Sequence, residues 1–225
     1  MSLTVGVIGL GPMGGNIAGN LLKNKFDIVG YDIESERMSA LSELGLEKAK
    51  SAVEVSERAD VLATSLPNAG SLHAVIKDVL QHSKPGQILI ECSTLTVAQK
   101  LDAHKQLSAG EKILLDSPIS GTPPMLAKMM ASIYVSGDQD AYQECKSVLE
   151  GFTATNFYVG EIGNGSRMKF LANYLVHVHV AAAAECMVMG EKAGLDPELI
   201  HTVLKESAGA SKMLDIRGAM MAKSD

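Results

Sequence analysis

The feature that most constrains the fold lies in the first 22 residues. An apolar run, residues 5–8, leads directly into the glycine-rich segment GLGPMG and then into an amphipathic stretch of helical length. In a G-x-G-x-x-G turn, the glycines permit a tight bend, close approach of the backbone to a pyrophosphate, and close packing of helix on strand. This order predicts a dinucleotide-binding βαβ unit. Its cofactor-binding loop would comprise Gly9, Leu10, Gly11, Pro12, Met13 and Gly14.

An acidic residue, Asp32, ends the next apolar run, eighteen positions after Gly14. A carboxylate in this place can accept hydrogen bonds from an adenosine ribose and repel a 2'-phosphate. The sequence therefore favours NAD over NADP as cofactor. Two alternatives stay open: Arg37 on the following helix could receive a phosphate, and Asp32 could instead cap that helix.

Short aliphatic runs alternate with stretches of helical length as far as Tyr158, which is typical of βαβ units. The predicted fold class is α/β, a doubly wound, mainly parallel Rossmann sheet. The predicted strands cover residues 5–8, 27–31, 61–65, 88–91, 113–116, 132–135 and 156–159.

After Gly163 the pattern is helical throughout. We therefore expect an NAD-binding Rossmann domain at residues 1–162 and an all-α substrate and dimerisation domain, incomplete in extent, at 163–225. The apolar stretch 170–190 approaches the length of a membrane span, but it contains an asparagine, two histidines and a glutamate, which are costly in hydrocarbon. It is predicted to be a buried core helix, with no membrane association.

Composition narrows the class of partner. The net charge of -6, with scattered lysines and arginines, offers no electrostatic surface for nucleic acid or anionic membranes, which leaves small molecules. Cys92, Cys145 and Cys186 lack metal-ligand spacing and fit packing roles in a reducing compartment. Because the N-terminus has no basic region before its short apolar run, a cytoplasmic location is expected.

Polar loops follow the later predicted strands. The carboxyl ends of strands are where open α/β sheets bind their ligands. Residues there that would add to the cofactor site are Leu66, Pro67, Ser93 and Thr94. A further loop, DSPISG at 116–121, follows the fifth predicted strand.

Four motifs occur in order: GLGPMG at 9–14, Ser93-Thr94, DSPISG at 116–121, and GNGSRMKFLAN at 163–173. In residues, order and spacing they resemble the β-hydroxyacid dehydrogenase family, which includes 3-hydroxyisobutyrate dehydrogenase, tartronate semialdehyde reductase and the smaller relatives of 6-phosphogluconate dehydrogenase. The resemblance spans nearly the whole chain. It implies hydride transfer between NAD and a small 3-hydroxy acid or its semialdehyde.

The resemblance also implies residue roles. Ser120 and Gly121 would bind the substrate carboxylate, Lys169 would be the general acid and base, and Asn173 would be its partner. Their i,i+4 spacing puts Lys169 and Asn173 on one helix face. Lys169 would take the hydroxyl proton while hydride passes to nicotinamide, without a metal. Read alone, Ser120 could merely close a turn and Lys169 could reach solvent.

The chain departs from the family pattern in two places. Thr122-Pro123-Pro124 follow Gly121 where the family has a second glycine, and Met129-Met130-Ala131 replace a glycine-threonine-leucine stretch. The substrate loop should therefore have a different shape, and the substrate stays open. The sequence also ends where family members continue through further helices. This predicts a truncated chain with exposed apolar helix faces, and a homodimer or homotetramer.

Three alternative functions remain. An imine reductase-like enzyme shares the fold but departs from the family at the catalytic lysine, so Lys169 argues against it. A non-catalytic NAD-binding or scaffold protein is possible because a dinucleotide fold says little about chemistry. A decarboxylating 6-phosphogluconate enzyme is disfavoured, because its larger helical domain and extra basic residues have no counterpart here.

Overall fold

The computed structural model describes residues 3–223 and contains two compact units, one extending through Lys169 and the other beginning at Phe170. The first unit is built on a six-stranded parallel sheet. Its strands are β1 (Thr4–Ile8), β2 (Asp27–Tyr31), β3 (Glu47–Lys48), β4 (Val61–Thr64), β5 (Ile88–Glu91) and β6 (Ile113–Asp116). Their order is β3-β2-β1-β4-β5-β6. The chain reverses its direction of winding between β1 and β4, which is where such sheets bind ligands.

Five helices accompany this sheet: α1 (Pro12–Lys23), α2 (Ser35–Ser42), α3 (Ala52–Arg58), α4 (Ala69–His82) and α5 (Val97–Ala109). Side chains along the central strands alternate between two buried clusters. In β4, for example, Val61 and Ala63 belong to one cluster and Leu62 to the other. Because both faces of the sheet are covered, its central strands are mainly apolar, as the sequence predicts for parallel βαβ units.

A second, three-stranded sheet completes the unit. It contains β7 (Ile119–Ser120), β8 (Ser132–Val135) and β9 (Thr155–Tyr158), with the short helices α6 (Pro123–Ala127), α7 (Gln139–Glu144) and α8 (Lys146–Phe152). β7 and β8 are antiparallel, whereas β8 and β9 are parallel. A bridge between Asp116 and Ser136 links the end of β6 to the residue after β8. The mainly parallel Rossmann architecture is therefore confirmed, with its last strands set apart.

The predicted strands agree with the observed ones to within one residue at each end. The strands β3 and β7 were not predicted. Each is two residues long, which is too short to show an alternation of apolar and polar residues.

The long helix α9 (Asn164–Lys192) carries the chain into the second unit, where α10 (Pro197–Leu204) and α11 (Lys212–Ala222) follow. Few apolar side chains of this unit are buried: Ala183, Met187, Ile200 and Leu214. The prediction of a buried core helix at 170–190 is wrong. Large apolar side chains of α9 that are exposed include Leu171, Tyr174, Leu175, Val176, Val178, Val188 and Met189.

By length and composition alone α9 also qualifies as a candidate membrane span, as many core helices of soluble proteins do. Its polar residues remain the argument against that interpretation. The physical reason for its exposure is that three described helices offer too little surface to cover a segment that is apolar on most sides.

Candidate cofactor and substrate site

The glycine loop has the geometry that its sequence predicts. Gly9 adopts a left-handed conformation with φ of 85° and donates its N–H to the carbonyl of Tyr31 at 2.9 Å. A Cβ atom on Gly9 would overlap the carbonyl oxygen of Ser65, and one on Gly14 would overlap the carbonyl oxygen of Gly9. Side chains are therefore excluded at both positions, which keeps the loop close to β4.

The N-terminus of α1 is open for an anion. Gly11 is the N-cap residue, has no side chain to cap the helix, and precedes Pro12 at the first helical position. The first turn contains no acidic residue. Since the first N–H groups of a helix lack intrahelical partners and carry partial positive charge, this end suits a pyrophosphate. Leu10 and Met13 lie within the same loop, buried and half-buried respectively.

Asp32 links the end of β2 to the glycine loop. Its carboxylate is buried, with Oδ2 accepting from the N–H of Leu10 at 2.6 Å and Oδ1 from the N–H of Glu34 at 2.8 Å. The N-cap of α2 is Glu34, so Asp32 does not take the alternative role of helix cap.

The guanidinium of Arg37 lies beside the Asp32 carboxylate. Nη1 of Arg37 lies 3.4 Å from Oδ2 of Asp32, and Nη2 lies 2.7 Å from Oε1 of Glu34. A Cβ atom on Gly11 would be 3.5 Å from Nη1 of Arg37, which places the guanidinium beside the glycine loop. Asp32, an acid that disfavours a 2'-phosphate, and Arg37, a cation able to bind one, are therefore adjacent.

The loops after β4 and β5 are joined to each other. The N–H of Leu66 donates to Oγ of Ser93 at 2.8 Å, and the N–H of Ser93 donates to Oε1 of Glu91 at 2.9 Å. Pro67 and Thr94, the next residue in each loop, are exposed. Together with the contact between Gly9 and Ser65, these bonds gather the predicted cofactor residues at the carboxyl edge of the sheet.

The DSPISG segment ends at a glycine with a positive φ. Ser120 is half-buried and pairs with Ser132 across β7 and β8. Gly121 follows with φ of 154°, and a Cβ atom there would lie 2.8 Å from Cβ of Ala131. Ser120 is thus the last residue of β7, at the place where the family resemblance assigns the substrate carboxylate.

The first group of residues that departs from the family pattern, Thr122-Pro123-Pro124, begins α6. Thr122 is its N-cap and prolines occupy its first positions, where a missing N–H costs nothing. Two asparagines of α1 hold this helix, with Nδ2 of Asn16 donating to the carbonyl of Pro123 at 3.1 Å and Nδ2 of Asn20 to that of Leu126 at 2.7 Å. These hydrogen bonds attach α6 to α1.

The first turn of α9 is attached to the end of β6. The N–H and Oγ of Ser166 donate to Oδ2 and Oδ1 of Asp116, each at 2.8 Å. The N–H of Gly165 donates to Oγ of Ser136 at 2.9 Å, and a Cβ atom on Gly165 would lie 2.6 Å from the carbonyl oxygen of Tyr134. These contacts bring the third and fourth sequence motifs together.

Lys169 lies one turn beyond this attachment and is 9% exposed. Burial lowers the pKa of its ammonium below the ordinary value of 10.5 by removing water from the charged form. Most of its side chain is therefore buried, whereas the alternative interpretation placed it in solvent. Asn173, which is half-buried, occupies the next turn of α9 and belongs to the second unit.

Sequence reasoning missed several buried charged residues, of which Lys100 of α5 is the most deeply embedded among charged partners. Its side chain is fully buried, with Nζ bonded to Oε2 of Glu91 and 3.2 Å from Oδ1 of Asp116. A signal for it exists, because Lys100, Ala103 and Leu107 share the buried stripe of α5 at i, i+3, i+7 spacing. A lysine within such a stripe requires an anionic partner inside the protein.

Within residues 3–223, no group of three or more His, Cys, Asp or Glu side chains is arranged to hold a metal ion. The cysteines are free, and burial raises the pKa of the Cys145 thiol to about 12 and that of Cys92 further. Buried, protonated thiols of this kind are poor nucleophiles.

Two family models cover most of the chain. Residues 4–160 match the NAD-binding domain of 6-phosphogluconate dehydrogenase, and residues 163–225 match a model described as the NAD-binding region of NADP-dependent 3-hydroxyisobutyrate dehydrogenase.

Individual relatives agree with these models. L-threonate dehydrogenase of Cupriavidus necator is 31% identical, over 100% of this chain and 77% of that protein. Mitochondrial 3-hydroxyisobutyrate dehydrogenase of Mus musculus is 31% identical, over 91% of this chain and 62% of that protein. Among solved structures, Mycobacterium tuberculosis 3-hydroxyisobutyrate dehydrogenase with L-serine superposes with a TM-score of 0.88 at 28% identity, over 94% of this chain and 72% of that one.

Proposed function

Because the chain belongs to the β-hydroxyacid dehydrogenase family of NAD(P)-dependent enzymes, we propose that it transfers hydride between a small 3-hydroxy acid, or its semialdehyde, and NAD. The observation that carries the proposal is the largely buried side chain of Lys169, which lies one turn from the point where α9 meets the DSPISG segment. A lysine in this position has no packing advantage over an apolar residue, so chemistry is the better explanation.

The residues of the glycine loop fit a dinucleotide. Gly9 supplies the left-handed turn, and the uncapped N-terminus of α1 supplies donors for a pyrophosphate. When bound, the nicotinamide ring accepts or donates the hydride. Asp32 supports NAD over NADP, while Arg37 is the group that would serve a 2'-phosphate if NADP were used. Leu66, Pro67, Ser93 and Thr94 would line the same cofactor.

Lys169 is proposed as the general base in oxidation and the general acid in reduction. Its lowered pKa increases the neutral fraction at a given pH, which favours removal of the substrate hydroxyl proton. Asn173, one turn along the helix, would hydrogen-bond the same substrate oxygen. The hydroxyl of Ser120 and the backbone of Gly121 would bind the substrate carboxylate and so orient the reacting carbon.

The wider organisation of the protein is also proposed. The two family models meet between residues 160 and 163, which supports a division into a cofactor domain at 1–162 and a substrate and dimerisation domain at 163–225. The exposed apolar side chains of α9 support a homodimer or homotetramer. Free cysteines fit a cytoplasmic location.

The test is NADH formation with 3-hydroxyisobutyrate, glycerate, threonate and 4-hydroxybutyrate, with NADP in parallel. Turnover is expected with at least one acid and is expected to disappear in Lys169→Met. Lys105→Met, which alters an exposed lysine of α5, is the matched control and should retain turnover.

Other outcomes would favour the alternatives. Reduction of cyclic imines that persists in Lys169→Met would favour an imine reductase-like enzyme. NADH binding without turnover of any acid or imine would favour a non-catalytic NAD-binding protein.

A further inference from the structure

A buried chain of charges joins the cofactor loops to the helix that carries Lys169. Its centre is the Lys100 amine, which bonds Oε2 of Glu91, lies 3.2 Å from Oδ1 of Asp116 and donates to the Glu91 carbonyl at 3.2 Å. All three side chains are completely buried. The group therefore brings two carboxylates and one ammonium into the protein interior, an arrangement that is costly unless every charge is satisfied.

The first branch of this network runs through Glu91. Its Oε1 accepts from the N–H of Ser93 at 2.9 Å, and Oγ of Ser93 accepts from the N–H of Leu66 at 2.8 Å. Two of the loops assigned to the cofactor are thus fixed to each other and to one carboxylate.

The second branch runs through Asp116. Its two oxygens accept from Oγ and N–H of Ser166, and Oγ of Ser136 lies 3.4 Å from Oδ2. A carboxylate that receives N–H groups at the start of a helix is stabilised by charge-assisted bonds and by the helix dipole. Ser166 precedes Lys169 by three residues in α9, so its attachment sets where the amine of Lys169 is presented.

Neither branch is needed merely to fill the interior. Replacing a buried ion network by apolar residues of similar volume is often neutral or stabilising. Conversely, a network in which each oxygen contacts a defined donor fixes the directions of those donors. Here the donors belong to the two halves of the candidate site.

We propose that Asp116 and Lys100 are positioning residues for the reaction: Asp116 fixes the first turn of α9, and with it Lys169, while Lys100 holds Asp116 in register with Glu91 and the cofactor loops. This inference rests on the proposed function. It goes beyond that function in assigning separate tasks to the two carboxylates, cofactor-loop placement to Glu91 and lysine placement to Asp116.

A matched pair of variants separates these tasks. Asp116→Asn and Glu91→Gln each remove one negative charge and leave Lys100 with one carboxylate, so the buried charge is the same in both. Asp116→Asn should lower kcat about 10- to 100-fold with little change in the KM for NAD, because misplacing a catalytic group slows the chemical step. Glu91→Gln should raise the KM for NAD and the Kd for NADH, with a smaller effect on kcat.

Hydrogen exchange measured by mass spectrometry supplies a readout that needs no turnover. In Asp116→Asn the amides of residues 166–169 should exchange faster, whereas in Glu91→Gln they should match the unaltered protein. Ser166→Ala provides a milder test, since it removes one hydroxyl bond to Asp116 and no charge. Its control is Ser56→Ala, which removes a buried hydroxyl bonded only within α3.

Equal losses of kcat in Asp116→Asn and Glu91→Gln, or unchanged exchange at 166–169 in both Asp116→Asn and Ser166→Ala, would overturn the positioning role. If Asp116→Asn does not fold, Ser166→Ala against Ser56→Ala decides through exchange and kcat. If the unaltered protein oxidises no hydroxy acid, the proposed function fails, yet exchange at 166–169 still tests the link between Asp116 and α9.

Discussion

The strands of the first unit and the long helix of the second are both rich in apolar residues, yet their side chains have opposite environments. In β4, Val61, Leu62 and Ala63 alternate between two buried clusters. In α9, Leu171 and Tyr174 are 61% and 67% exposed. A strand with two covered faces determines where each side chain goes. A helix that is apolar on most sides does not specify which face another element will cover.

The same contrast applies to polar groups. In the first unit, buried charges such as Lys100 and Asp116 have defined partners and join loops that are far apart in the sequence. In the second unit, the titratable side chains of His177, His179 and Glu185 are exposed on α9. The buried ion network therefore lies within residues 3–169. Variants before and after residue 170 should differ in their effects on activity and stability.

The largest expected effect concerns the residue at that boundary. Lys169→Met should lower kcat/KM for hydroxy acid oxidation by about 10²- to 10⁴-fold, the usual contribution of a general acid or base. Asn173→Ala, one turn later in the second unit, removes a hydrogen bond and no proton acceptor, so its loss should be about 10-fold.

Steady-state kinetics with the best acid of the panel measures both variants. NADH affinity should be unchanged in each, which separates loss of chemistry from loss of cofactor. A larger loss for Asn173→Ala than for Lys169→Met would move the centre of the chemistry into the second unit and contradict the proposed role of Lys169.

A matched pair of leucines tests the contrast in burial. Leu62→Ala removes a fully buried side chain and should lower the free energy of unfolding by about 2 to 5 kcal/mol, from lost transfer energy and the cavity left behind. Leu171→Ala alters an exposed side chain and should change it by about 0.5 kcal/mol or less.

Urea unfolding followed by circular dichroism measures both leucine variants, at several protein concentrations. A cost for Leu171→Ala near that of Leu62→Ala, and dependent on concentration, would mean that another copy of the chain covers this face of α9. The contrast would then hold for the isolated chain alone.

Much of the first unit could be predicted from the sequence, because its signals are local. The glycine pattern at residues 9–14, the acid at position 32 and the apolar period of the strands can each be recognised within short stretches of sequence. The network around Lys100 could not be predicted in this way, since Glu91 and Asp116 come from different strands and meet only in the folded sheet. The prediction that α9 is buried was wrong because apolar composition alone does not show whether another element covers the helix.

Two glycines of α1 give the next effect in size. Gly14→Ala would place a methyl group against the carbonyl of Gly9 and should weaken NADH binding at least 10-fold by displacing the loop from the helix. Gly19→Ala meets its nearest neighbour, Leu41, at 3.9 Å and should leave binding intact while stabilising the helix by up to about 1 kcal/mol. NADH fluorescence titration measures both variants. Equal affinities for NADH would show that the glycine loop can move to admit the methyl group without weakening cofactor binding.

The smallest expected effect is in the pH dependence of Lys169. Since burial puts its pKa in the folded protein below 10.5, the folded state binds fewer protons than the unfolded state between the two values. Stability should therefore rise with pH across that window, and oxidation should rise with pH around the lower pKa. Lys169→Met should flatten the pH dependence of stability, with a difference of about 1 kcal/mol or less after allowance for partial solvent screening.

Urea unfolding at pH 7 and pH 10 measures this difference. The control is Lys105→Met, which removes an exposed lysine and should leave the pH dependence of stability unchanged. If the free energy of unfolding changes equally with pH in both variants, other groups cause the dependence. Lys169 would then not be in the desolvated environment that characterises buried charges of the first unit.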